Sequence, residues 1–267
     1  MKFARHYDNA LMPFTAFRDN ATRFRIFIIL MIFAVAAVEI RREVGTDLYI
    51  FYRQRLRDPQ VIRKYLDTHT VRKLQLGAGT HNPPDWLNSD IEPKGDQIYL
   101  DVTSNYPFPG GSFHYVFAEH LIEHIPWESG LRMLKESFRI LAPGGKIRII
   151  TPDLAKYFYV LNHETDAEVQ RFIAANRNVF EWPNTPVGAA YVFNKAMREW
   201  GHVFIYDAEA LRRTLKLAGF ADVKQLQIGA KTDPVFETAE YRKSGAFSTD
   251  DFWIINQMVG MVFEATK

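Results

Sequence analysis

From residue 72 onward, short apolar runs alternate with stretches of helical periodicity, and this alternation limits the fold more than any other feature of the chain. Short apolar runs bounded by turn residues read as buried strands. The helical stretches between them supply the crossovers that parallel neighbours need, so the class expected is α/β with a mostly parallel sheet. Strands are expected near 73–77 (KLQLG), 86–91 (WLNSDI), 97–101 (QIYLD), 113–118 (FHYVFA) and 145–150 (GKIRII), then near 222–228 and 258–265. Helices are clearest at 128–141 and 207–218, each followed by a glycine-bearing stop. Asp207 suits an N-cap, with Glu209 in the first turn. Residues 153–200 read as one or two aromatic-rich helices inserted between the fifth and sixth strands, carrying Tyr157, Phe158, Tyr159, Phe172, Phe180 and Trp182.

The loop Leu76-Gly77-Ala78-Gly79-Thr80 directly follows the first strand. Glycines there allow a tight turn and a close approach of ligand to backbone at the carboxyl edge of the sheet. Alone, that says only that some ligand meets a backbone turn. Asp90 ends the second expected strand, where a carboxylate can accept ribose hydroxyls. Asp101 ends the third, where it can accept from an adenine amino group. Position 82 is Asn, so the third glycine of a G-x-G-x-x-G dinucleotide fingerprint is missing. The ordered set points to a nucleoside cofactor that is not NAD.

The residues that carry a family resemblance are KLQLGAGT (73–80), NSDIEP (88–93), LDVTSNYPFPGGSFHYVFAEHLIEHIP (100–126) and RILAPGGKIRIITPDL (139–154), with WGHVFIYDAEALRRTLKLAGF (200–220) behind them. They resemble the class I S-adenosylmethionine-dependent methyltransferases, of the small-molecule type linked to cell-surface polysaccharide synthesis. The resemblance implies a Rossmann-like sheet of seven strands, the last antiparallel, with helices on both faces. It also implies S-adenosylmethionine as methyl donor, held by Leu76, Gly77, Ala78, Gly79, Asp90, Ile91, Asp101, Val102 and Glu119. Two positions depart from the family pattern: Gln75 stands where many members carry an acid, and His114 where Asp is usual. The acceptor expected is a small molecule, a glycan or a lipid-linked glycan, methylated on oxygen. A non-catalytic binding protein that kept the fold is the alternative.

His120-Leu121-Ile122-Glu123-His124 follows the fourth strand. Read literally, H-x-x-E-H is an inverted zinc-peptidase motif, but that motif needs one helix face, and here a strand end and Pro126 bracket it. Other readings stay open. His120, Glu123 and His124, with His202, could hold a divalent metal and, more remotely, serve a hydrolase. His120 or His202 could act as a general base on an acceptor hydroxyl. Glu123 and His124 could simply cap the following helix. Asp153 and Tyr206 are structural candidates at the same rim.

Charge is uneven along the chain. Residues 1–72 hold 13 Lys+Arg against 7 Asp+Glu, whereas the remaining residues hold 20 against 24. The part bearing the candidate site is therefore acidic, which argues against a nucleic-acid substrate. Ile26 to Val38 is an uninterrupted apolar run between Arg25 and Glu39. A helix of that length rises roughly 20 Å, short of the roughly 30 Å hydrocarbon core. The run suits a packing helix or dimer contact, a membrane-surface segment or short anchor over residues 23–42, or a cleaved signal. Residues 1–70 are thus expected as a basic, apolar helical extension and 71–267 as the main domain, cytoplasmic or at the inner face of a membrane. The chain has no cysteine, which excludes disulfides and thiolate metal sites.

Overall fold

The computed structural model describes Arg25, Ile28, Met31 and residues 45–181, 188–240 and 249–267. It divides into two compact units, Met1–Arg53 and Gln54–Lys267. In the first unit, Arg25, Ile28, Met31 and residues 45–52 are helical. The rest of the apolar run 26–38 lies outside the described residues. Among the described residues, no helix is long and apolar enough to cross a membrane.

The second unit is built on a seven-stranded sheet. Its strands are β1 (Lys73–Leu76), β2 (Leu87–Asp90), β3 (Ile98–Tyr99), β4 (Phe113–Glu119), β5 (Leu141–Pro152), β6 (Asp222–Leu226) and β7 (Gly260–Thr266). They lie in the order β3-β2-β1-β4-β5-β7-β6. Pairs among β1 to β5 are parallel, while β7 runs antiparallel to both β5 and β6. The expected α/β class and antiparallel last strand are both observed. The strand order reverses between β1 and β4, and in open α/β sheets ligands bind at the carboxyl ends beside such a reversal.

The central strands bury both faces, as parallel strands do. On one face Leu74, Leu76, Val116, Ala118, Ile147 and Ile149 form a core with Ile62 and Tyr65 of α1 (Asp58–Thr68), Met133 and Leu134 of α2 (Trp127–Ile140), and Leu211 and Leu215 of α6 (Ala208–Ala218). The sequence reading placed 58–68 in the extension. Its Ile62 and Tyr65 instead complete this core. On the other face Phe117, Ile150 and Val262 pack with Trp86, Ala239 and Phe236, the last from α7 (Pro234–Glu237). A third cluster joins α3 (Leu154–Asn162), α4 (Ala167–Val179) and α5 (Ala189–Arg198) to α8 (Asp250–Val259), through Val160, Phe172, Val192 and Ile255. The insertion therefore holds three described helices and recruits a fourth from just before β7. Asp207 caps α6 as expected, its side chain accepting from Ala210 N at 2.7 Å.

One close approach ties α2 to the chain leading into α6. Tyr206 is fully buried, and a Cβ on Gly130 would fall 2.5 Å from its hydroxyl oxygen. That hydroxyl finds no hydrogen-bond partner among the described residues, and burial, with Glu123 and Glu128 nearby, raises its pKa. Gly130→Ala is expected to destabilise the protein by about 1–3 kcal/mol through overpacking, despite alanine's better helix propensity. Tyr206→Phe removes the clashing oxygen, so the double variant should regain most of the loss in thermal unfolding. A Gly130→Ala protein as stable as the parent would refute the clash.

Candidate active site

The candidate cofactor residues gather at the carboxyl ends of β1, β2 and β3. Gly77 and Gly79 both adopt left-handed backbone, with φ of 63° and 57°, a region that costs other residues strain. Their surroundings differ. A Cβ on Gly77 would lie 2.8 Å from Leu121 Cδ1, whereas nothing lies within 4 Å of one on Gly79. Gly77 thus lets the turn pack under the loop after β4, and Gly79 faces open space. Leu76 and Ala78 are buried beside them, and Ala78 N donates to Ser89 O at 2.9 Å.

Asp90 is bound into the same turn. Gly79 N donates to its Oδ2 at 2.8 Å and Glu92 N to its Oδ1 at 2.9 Å. A carboxylate oxygen has two lone pairs, so each retains accepting capacity for a ligand hydroxyl. Ile91, next along, is an exposed apolar side chain. Asp101 lies two residues beyond the end of β3. Its Oδ1 accepts from Thr103 N at 2.8 Å and Thr103 Oγ1 at 2.7 Å, and Val102 is buried behind it. A cavity of about 560 Å³ reaches Asp101 from between α1 and residues 99–109. A second, of about 610 Å³, lies between α1 and the β1–β2 connection and contains none of the candidate residues.

Gln97 was missed by sequence reasoning. It is buried, donates from Nε2 to Gly79 O and to Asn82 Oδ1, both at 2.9 Å, and accepts from Lys94 N at 2.7 Å. It braces the glycine turn from behind. Inside the run QIYLD it looks like any polar strand residue, so nothing local marks it.

Glu119 ends β4, and His120 follows with φ of 51°. Positive φ is uncommon outside glycine, and here the amide is held by a bond from His120 N to Ile150 O at 2.8 Å. His120 Nδ1 stands 3.0 Å from Glu123 Oε1, an ion-pair distance. Glu123 is wholly buried, and its Oε2 accepts from Thr151 Oγ1 at 2.9 Å. Burial would raise the Glu123 carboxyl pKa, but the hydrogen bond and charge of His120 outweigh it, and the net direction is downward. Thr151, polar at the end of an apolar strand, was the signal that sequence reading passed over.

The fold also brings a distant segment to this point. Val203 N and Phe204 N both donate to Glu123 O, at 2.7 and 3.1 Å. His124 Nδ1 lies 3.2 Å from Gly201 O, and the His124 and His202 rings meet edge to face at 4.9 Å. Burial lowers the His202 pKa, partly offset by Glu123, so the neutral imidazole is favoured. His120, Glu123, His124 and His202 therefore form one cluster. Asp153 caps α3, accepting from Ala155 N at 3.0 Å, and Tyr206 packs against Phe204. Among the described residues, Glu123, His124 and His202 place ligand atoms within 4.8 Å of one another. That set could serve a divalent cation, though both Glu123 oxygens already face His120 and Thr151.

The family model for a methyltransferase domain matches residues 37–225. The chain belongs to this family. It is an enzyme of the S-adenosylmethionine-dependent kind, with S-adenosylmethionine as methyl donor. No curated protein matches the methyltransferase in sequence. Among solved structures, an Archaeoglobus fulgidus SAM-dependent methyltransferase is 15% identical, covering 83% of this chain and 99% of its own, with a TM-score of 0.42. Haemonchus contortus phosphoethanolamine N-methyltransferase 2, in complex with S-adenosyl-L-methionine, is 17% identical over 79% of this chain and 52% of its own, with a TM-score of 0.40. The family assignment rests on the sequence match alone.

Proposed function

We propose that this methyltransferase methylates a hydroxyl oxygen of a small-molecule or glycan-type acceptor, and that His120 takes the hydroxyl proton. The observation that carries this is the chain Thr151–Glu123–His120 at the end of β4 and β5. A buried carboxylate facing Nδ1 fixes the ring and stabilises the imidazolium that forms when the proton arrives, as third groups do behind other histidine bases. Glu123 is then a positioning residue, acting through His120. His202, kept neutral by burial, stands across His124 as the second candidate base.

The donor site fits its cofactor on two counts: the open space beyond Gly79, and the accepting capacity left on Asp90. Asp90 would accept the ribose hydroxyls and Asp101 the adenine amino group, with Ile91 and Val102 flanking the base. Leu76 to Gly79 and Glu119 would line the remainder. The bound donor supplies an already activated methyl group on a sulfonium. What is left for the chain is alignment, exclusion of water and removal of the acceptor proton.

The test is turnover of S-adenosylmethionine against fractionated cell extract, with mass detection of the methylated product. His120→Ala is expected to lower kcat by about 10²- to 10⁴-fold, with cofactor affinity nearly unchanged, and Glu123→Gln to lower it by less. Full turnover by His120→Ala would end the base assignment, and a methyl group found on nitrogen would end the oxygen assignment. If Glu123, His124 and His202 hold a catalytic metal instead, chelator would abolish turnover and a divalent cation would restore it.

A further inference from the structure

The described residues of the first unit present several exposed apolar side chains. Ile28 and Met31, three residues apart and both helical, are exposed by 38% and 50%. In helical residues 45–52, Leu48, Tyr49, Phe51 and Tyr52 are all exposed, Leu48 by 63% and Phe51 by 57%. At about 100° per residue, these four fall within one side of a helix. A segment meant for a protein core would bury them, whereas scattered single exposures would not share a side. Tyr49 is also stacked under the Arg53 guanidinium, at 5.6 Å, and accepts from Arg53 Nη1 at 3.2 Å.

We propose that the first unit binds the surface of an anionic lipid bilayer, through Ile28, Met31, Leu48, Tyr49, Phe51 and Tyr52. Charge selects this occupant. Residues 1–53 carry 8 Lys+Arg against 5 Asp+Glu, and Arg23, Arg25, Arg41 and Arg42 bracket the apolar run. Arg25 is itself exposed. A second copy of the same unit would meet it across a two-fold axis and bring like charges together. An anionic leaflet neutralises them, at about 1 kcal/mol for each basic residue near the surface. Tyr and Phe suit the depth of the headgroups, where the ring is apolar and the hydroxyl stays wet. The apolar run 26–38 is shorter than a bilayer span needs, which favours binding at the interface over crossing it.

The test uses the full-length chain with vesicles of phosphatidylcholine alone or mixed with phosphatidylglycerol. Co-sedimentation is expected with the mixed vesicles, weaker with phosphatidylcholine alone, and reduced by high salt. Phe51→Ser together with Tyr52→Ser should lower apparent vesicle affinity at least ~10-fold. These exposed positions should leave thermal unfolding and S-adenosylmethionine binding unchanged. The proposal is overturned by equal binding of parent and variant, or by failure to bind the mixed vesicles. Concentration-dependent dimerisation that the same double variant abolishes, without vesicle binding, would assign the surface to a second copy.

Discussion

Asp90→Asn should weaken binding of S-adenosylmethionine at least ~100-fold, equivalent to about 3 kcal/mol. The substitution keeps size and shape. It puts an amide nitrogen where an oxygen now accepts from Gly79 N or Glu92 N. One donor then faces another donor, and the turn carrying Gly79 loses an anchor. These two bonds are near solvent, so their share is about 1 kcal/mol, the net worth of an ordinary hydrogen bond. The larger share is expected from the ribose hydroxyls, which in the proposed donor site meet this carboxylate. Titration calorimetry measures the affinity, and thermal unfolding without ligand separates local loosening from global loss. Affinity within threefold of the parent would show that Asp90 only shapes the loop.

The largest stability effect is expected at Arg148→Ala. Arg148 sits on β5 directly across from Glu264 on β7, fully buried. Its guanidinium pairs with Glu240 and Glu264, donates from Nη2 to Thr232 Oγ1 at 2.8 Å, and lies 4.6 Å from the Phe236 ring centre. Truncation takes the cation from two carboxylates that are themselves largely buried. Breaking such a cluster from one side costs about 3–5 kcal/mol. For a unit of this size that lowers Tm by about 10–15 °C. The cost should come mainly from the stranded carboxylates. Replacing Arg148, Glu240 and Glu264 together by Met, Leu and Leu should therefore recover most of it, because apolar side chains of similar volume need no desolvation compensation. Calorimetric unfolding checks both variants. A loss below about 1 kcal/mol in Arg148→Ala would mean that water reaches the acids and compensates them.

Elements whose signals are local were legible in the chain. Strands β1 to β5, helices α2 and α6 and the Asp207 cap lie within a few residues of where periodicity and capping place them. The elements missed lack such signals. Helix α8 reads DDFWIINQMV, after its two acids nearly as apolar as the strand that follows, so its periodicity is hidden and the strand is extended back into it. It is helical because it packs with α4 and α3 around Ile255 and Val259. Helix α1 buries Ile62 and Tyr65 in the core, with Val61 and Leu66 partly buried beside them, a short stripe that does not separate it from the basic extension before it.

The glycine turn and the histidine cluster divide the same way. By itself the sequence determined the Leu76–Thr80 turn, the placing of Asp90 and Asp101 near the ends of the next two strands, and the donor class. Left-handed backbone selects glycine at the residue concerned, and a strand end places an acid within a residue or two of its site. The tertiary structure alone decided that Gln97 braces this turn, that Thr151 stands behind Glu123, and that His202 reaches His124. Those partners lie 18, 28 and 78 residues apart in the chain. No local preference encodes such pairings. They follow from β3 and β2 lying beside β1, from β5 lying beside β4, and from the two backbone bonds that hold the 201–206 segment onto Glu123.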